Sequence, residues 1–257
     1  MDSLLSFSPT WGLALLALPL GAALGFLGGL FGIGSGIVAI PLLVVGFGMN
    51  QPLAQGTALV LMVPNLVLGW HRYHQRHPLP WRSILPMVVS ASATTWLLAH
   101  FANALDPRLL RGIFCSFLIL LALNLLRRRH LAQVAEKPLN CRLIPLVGIV
   151  GGCSMGLLGI GGGLLASPLL SGWLGQRQTT AQGLSLALVA PSSLVALLTY
   201  AQAGRVDWSL GLPLAAGGVL TVSAGVALAH RLPERRLRTA FAAMLLLAAL
   251  WLWAGTA

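Results

Sequence analysis

A chain of 257 residues that is 57% hydrophobic and only 8% charged is too apolar for a water-soluble domain, where about a quarter of residues carry charge. Its net charge of +11 does not make it a nucleic-acid binder, because the basic residues occupy short loops between apolar runs, as membrane proteins use them to set orientation. Cys115, Cys141 and Cys153 are odd in number and lack metal-ligand spacing, so they read as small packing residues.

Residues 3–71, 143–176 and 178–202 contain no Asp, Glu, Lys or Arg. Continuous runs of this kind predict membrane-spanning helices rather than the short alternating strands of a barrel. The N-terminus carries one acid and no basic residue, unlike the basic start of a signal peptide, so no cleavage is expected. The first run, 11–31, is long enough to cross about 30 Å of hydrocarbon. The second, 36–48, reaches only about 20 Å and follows a break at Gly32, Gly34 and Gly36. Runs 52–70, 83–101 and 107–126 complete a first set of spans. The string His71–His77, "HRYHQRH", suggests a metal site, but its neighbours are cationic and no carboxylate helps, so a solvated loop is expected. Run 143–158 then leads to a second break at Gly159, Gly161, Gly162 and Gly163, a second short run, 163–174, and three more spans at 179–200, 209–230 and 235–254.

The second set repeats the first. A shift of 127 residues, without a gap, places Gly32, Ile33, Gly34 and Gly36 on Gly159, Ile160, Gly161 and Gly163. It also places Pro41 on Pro168, Gln55 on Gln182, Pro64 on Pro191 and Tyr73 on Tyr200. The chain is therefore read as one membrane domain of two repeats, 1–127 and 128–257. Loops 70–82, 127–142, 175–180 and 230–238 hold thirteen of the sixteen basic residues. With these loops in the cytoplasm, loop 70–82 lies inside while its counterpart at 201–208 lies outside. The expected architecture is thus an all-α integral membrane protein with an inverted-topology repeat, each half a glycine-broken hairpin plus three transmembrane helices. Both termini are expected outside.

A chain broken at Gly-x-Gly-x-Gly leaves backbone polar groups unpaired, which hydrocarbon does not tolerate unless protein or a water-filled cavity surrounds them. The helix that restarts there offers amides and the positive end of its dipole, which suit an anion without any charged side chain. Gly32, Gly34, Ser35 and Gly36 of one repeat, with Gly159, Gly161, Gly162 and Gly163 of the other, are the candidate anion-binding backbone. Gln55, Thr57 and Asn65, with Gln182, Ser185 and Ser192, are the candidate polar side chains, with interhelical hydrogen bonding as the alternative for each. Pro41, Pro64, Pro168 and Pro191 are candidate kinks or gates. The rows Gly21/Gly25/Gly29 and Gly148/Gly152/Gly156 read as close-packing faces. The five acids, Asp2, Asp106, Glu136, Asp207 and Glu234, all fall near predicted interfaces, so no carboxylate offers itself as a proton relay or sodium ligand in the membrane core. No cofactor, metal or catalytic group is expected. The partners expected are the bilayer and a small anion, and homo-oligomerisation is not indicated. An intramembrane enzyme or an assembly subunit would be the reading from another class, and an anion channel or an uptake permease for another small anion the nearer alternative.

"GGLFGIGSGIVAIPLL" and its echo "MGLLGIGGGLLASPLL", each followed by "AQGTAL" or "AQGLSL", resemble the sulfite exporter TauE/SafE family of bacterial membrane permeases over essentially the whole chain. The resemblance implies a duplicated helical transporter of the bacterial inner membrane, with a substrate among small sulfur-containing anions such as sulfite or organosulfonates.

Overall fold

The computed structural model describes residues 9–31, 35–76, 81–127, 143–172, 174–176, 178–229, 231 and 234–254. Gly32 and Gly34 lie outside these residues. Ten α-helices fill the described chain: α1 Pro9–Phe31, α2 Gly36–Pro41, α3 Gln51–Arg76, α4 Trp81–Ala104, α5 Pro107–Arg127, α6 Ile144–Leu158, α7 Gly163–Gly172, α8 Gln178–Gln202, α9 Trp208–Ala229 and α10 Glu234–Ala254. Segments of α3, α4, α5, α8 and α9 are long and apolar enough to cross a membrane, and α1, α2, α6 and α10 contribute shorter apolar stretches. Leucines such as Leu120, Leu220 and Leu247 stand exposed on α5, α9 and α10. An apolar exterior of this extent fits contact with lipid. This is a multi-pass membrane protein.

Two elements differ from the sequence expectation. The stretch His71–Arg76 is the last part of α3 and not a loop. Nothing in it breaks a helix, and Gln75 Nε2 lies 3.0 Å from His71 Nε2 one turn back; the first breaker is Pro78. Among the described residues no group of His, Cys, Asp or Glu is placed to hold a metal. Secondly, the 36–48 run is two pieces, because after Pro41 the chain widens into a π-helical turn, Leu42–Gly46. Pro41 cannot donate an amide to its own turn, and a widened turn is one way for the helix to absorb that loss. Pro168 lies inside α7 with no such turn. Pro64 and Pro191 sit inside α3 and α8.

Both glycine breaks turn the chain back on itself. In a continuous helix Gly28 and Ser35 would be about 10 Å apart along the axis. Instead, a β-carbon on Gly28 would lie 2.8 Å from the Ser35 nitrogen. Likewise, a β-carbon on Gly162 would lie 2.9 Å from the Gly151 carbonyl carbon.

The first arm of each hairpin then packs on the other repeat. The face Gly21/Gly25/Gly29 of α1 lies against the backbone of Leu214, Gly218 and Val222 on α9. The face Gly148/Gly152/Gly156 of α6 lies against Met87, Ala91 and Thr95 on α4. The 127-residue shift carries one set of partners onto the other, residue for residue. Hydroxyls bridge both seams: Thr221 donates to the Ala22 carbonyl at 2.5 Å and Thr95 to the Gly152 carbonyl at 3.2 Å. Between the seams, α3 and α8 pack on each other. Their spanning windows are each 61% buried, against 28–39% for α4, α5 and α9, so α3 and α8 form the centre.

Two of the acids cap helices. Asp207 Oδ1 accepts from the Ser209 and Leu210 amides at 3.0 and 3.2 Å, closing the start of α9. Asp106 Oδ1 accepts from the Arg108 amide at 2.7 Å, and Pro107 occupies the first position of α5, where no amide is needed. Asp207→Ala is expected to cost about 1 kcal/mol. A thermal melt of the detergent-purified protein should show a midpoint lower by about 2–4 °C; an unchanged midpoint would count against the cap.

Candidate functional site

The site begins where α6 stops. Gly159 takes a left-handed conformation, φ 64° and ψ 15°, and its amide donates to the Met155 carbonyl at 3.0 Å. A side chain at this φ is strained, which is why the break needs glycine here. The turn leaves the late carbonyls of α6 in need of donors. One of them, Gly156 O, lies 3.2 Å from the Tyr200 hydroxyl, which reaches across from α8. The same hydroxyl donates to Gln55 Oε1 at 2.8 Å.

Gln55 sits on α3 directly over the turn: a β-carbon on Gly159 would lie 3.1 Å from Gln55 Cβ. Gln55 and Tyr200 are both 0% exposed. Gln55 Nε2 has no partner among the described residues.

The first repeat meets the second at this same place. A β-carbon on Gly36, where α2 starts, would lie 3.3 Å from the Gly159 carbonyl oxygen and would collide with the Met62 thioether. Gln55 and Met62 are seven residues apart on α3, and therefore on one face. Ile37 and Ile160, the residues beside the two breaks, belong to one apolar core with Ala58 and Leu61. Ser35, next to Gly36, is buried, and its hydroxyl has no partner among the described residues. The junction of Ser35, Gly36, Gln55, Met62, Gly159 and Tyr200 thus carries no formal charge, is sealed from solvent, and holds an unused amide donor.

The remaining candidates fall elsewhere or have other partners. Thr57 is buried, but its hydroxyl accepts the Asp207 amide at 3.0 Å, tying α3 to the turn before α9. Asn65 Nδ2 donates to the Leu61 carbonyl at 3.2 Å, and Ser192 Oγ to the Leu188 carbonyl at 2.7 Å. These are equivalent bonds at equivalent positions, one residue after Pro64 and Pro191. Ser185 accepts from Ser167 at 2.9 Å and lies beside Gly163 at the start of α7. Gly161 and Gly162 carry the carbonyls that begin α7, accepting from Leu164 at 3.2 Å and Ala166 at 3.0 Å. Gln182, the counterpart of Gln55, is exposed, so the two amides are not in equivalent surroundings. Pro191 borders an apolar groove of about 230 Å³ between α3, α4 and α8, lined also by Trp70, Ile84 and Leu194, which is separate from the glycine junction.

Sequence reasoning missed Tyr200 and Met62. Tyr200 had a signal: the chain's only two tyrosines, Tyr73 and Tyr200, fall in register across the repeat. Met62 had none, because it reads as an ordinary core residue.

The family model described as "Sulfite exporter TauE/SafE" matches residues 17–252. A probable membrane transporter protein of Xylella fastidiosa (strain 9a5c) is 30% identical over 216 residues, covering 82% of this chain and 83% of the relative. Probable membrane transporter proteins of Methanocaldococcus jannaschii and Haemophilus influenzae are 24% and 26% identical, covering 90% and 92% of this chain and 93% and 96% of theirs.

Proposed function

Because the chain belongs to the sulfite exporter TauE/SafE family of membrane transporters, we propose that it carries small sulfur-containing oxyanions, sulfite or organosulfonates, out of a bacterial cell across the inner membrane. One observation carries the site: the buried, unpartnered Gln55 Nε2 over the Gly159 turn, beside the start of α2. A donor amide and helix-start amides bind an oxyanion without a fixed positive charge. A neutral site also releases its ligand more readily than an arginine clamp would. Ser35 and Gly36 on one side, with Gly161, Gly162 and Gly163 on the other, complete the proposed backbone cradle, and Ser185 lies at its α7 edge.

The halves are proposed to be inverted. The residue-for-residue exchange of seam partners supports a two-fold relation between the repeats, and the basic loops support opposite orientations. Export needs no coupling ion in this scheme. With the interior negative, each negative charge expelled gains about 2.3 kcal/mol per 100 mV.

Purified protein in proteoliposomes should move sulfite or an organosulfonate in preference to sulfate and thiosulfate. Flux should saturate with concentration and respond to an imposed potential. Inert vesicles across that panel would overturn the substrate class, and flux indifferent to voltage would overturn the driving force. Flux that never saturates would make it a channel. Reporter tags after Gly204 and after Glu136 should report opposite sides of the membrane; a shared side would end the inverted arrangement.

A further inference from the structure

Tyr200, buried at the centre, hydrogen-bonds both Gln55 and the end of α6, and its role is separable from anion binding itself. We propose that Tyr200 is a positioning residue that fixes which end of the Gln55 amide faces the transported oxyanion; this rests on the anion-carrier reading above.

The argument is one of donors and acceptors. A glutamine amide offers both, and rotation by half a turn exchanges them at little steric cost. Over an anion site the two ends are opposites: Nε2 attracts an oxyanion and Oε1 repels it. The phenol of Tyr200 supplies a single hydrogen, and the nearest acceptor is Gln55 Oε1 at 2.8 Å, with the Gly156 carbonyl at 3.2 Å taking the weaker share. Occupying Oε1 leaves Nε2 as the free end, the atom found buried and unpartnered. Both side chains are wholly shielded from water, so no solvent competes for the bond.

The position also explains why the anchor comes from α8. Tyr200 holds Gln55 on α3 and the Gly156 carbonyl on α6 at once, so the amide is fixed to the turn it serves. Gln182, at the equivalent place in the second repeat, is exposed. The pinned amide is therefore a feature of one repeat in this conformation, and it gives the site a polarity that the sequence symmetry conceals.

The test uses the full-length protein in proteoliposomes with sulfite. Tyr200→Phe keeps the ring and removes the hydroxyl. It is expected to raise the KM for sulfite about tenfold, with the maximal rate near wild type and a melting midpoint lower by about 2–4 °C, because two buried acceptors lose their donor. Gln55→Ala should raise KM similarly, and the double variant should be no worse than Gln55→Ala alone.

An unchanged KM in Tyr200→Phe would overturn the proposal, as would multiplying effects in the double variant. A Tyr200→Phe protein that melts early and loses maximal rate at constant KM would make the tyrosine structural only. Wild-type vesicles inert to the whole anion panel would remove the carrier reading, and the positioning role with it; active wild type with an indifferent Tyr200→Phe removes the positioning role alone.

Discussion

Gly159→Val is expected to abolish transport in vesicles while leaving a membrane-inserted protein. Two costs meet at this residue. Its φ of +64° is left-handed, where a side chain costs about 1–2 kcal/mol and a β-branched one more. The new β-carbon would also lie 3.1 Å from Gln55 Cβ, so Gln55 must yield, and its hydrogen bond with Tyr200 goes with it. The Gly159 carbonyl faces Gly36, so a shift here is felt by the start of α2 as well. Gly112→Ala on α5 is the matched control, since nothing lies within 4 Å of a β-carbon there. Flux should be normalised to inserted protein; a Gly159→Val variant that transports like the control would disconnect the turn from function.

Gly25→Leu and Gly152→Leu should each prevent the protein from accumulating in folded form. A β-carbon at position 25 would meet the Gly218 backbone, and one at 152 would overlap the Ala91 backbone and the Thr94 hydroxyl. Backbone cannot change rotamer, so the helices must separate. Overpacking in a close-packed interior costs about 3 kcal/mol or more in such cases, a large share of typical stability. The two substitutions occupy equivalent places in two equivalent seams, and their effects should be alike. Size-exclusion profiles of detergent extracts would check this; monodisperse protein at wild-type yield would mean that the seams do not hold the fold.

The seams were legible in the sequence because spacing carries them. Glycine at every fourth position marks a helix face that another backbone can approach, and the repeat assigned both faces at once. Most helix ends were legible from where the apolar runs stop, whereas the caps at Asp106 and Asp207 came only with the structure, the sequence having placed these acids no more closely than near the interfaces. His71–Arg76 was misread because polarity suggested a loop, whereas only a breaker ends a helix.

The turn at Gly159 was legible in the sequence, and the contacts made around it were not. Gly159 declared itself by the motif. Gln55, Thr57 and Gln182 looked alike on paper, being polar residues in apolar helices. Their different fates depend on neighbours remote in sequence: Tyr200 for Gln55, the Asp207 amide for Thr57, and exposure for Gln182. Periodicity ranks faces of a helix. It does not say which remote group will occupy a particular oxygen.

The exchange of arms between repeats has a consequence during synthesis. The partner of α6 is α4, already made when α6 leaves the ribosome. The partner of α1 is α9, which begins at Trp208, long after α1 ends at Phe31. At roughly 5–20 residues per second, the first helix waits on the order of ten to forty seconds with its glycine ridge uncovered. Halves that match in space are thus unlike in time: one interface closes at once, and the other holds the nascent chain open until nearly the last span has been threaded.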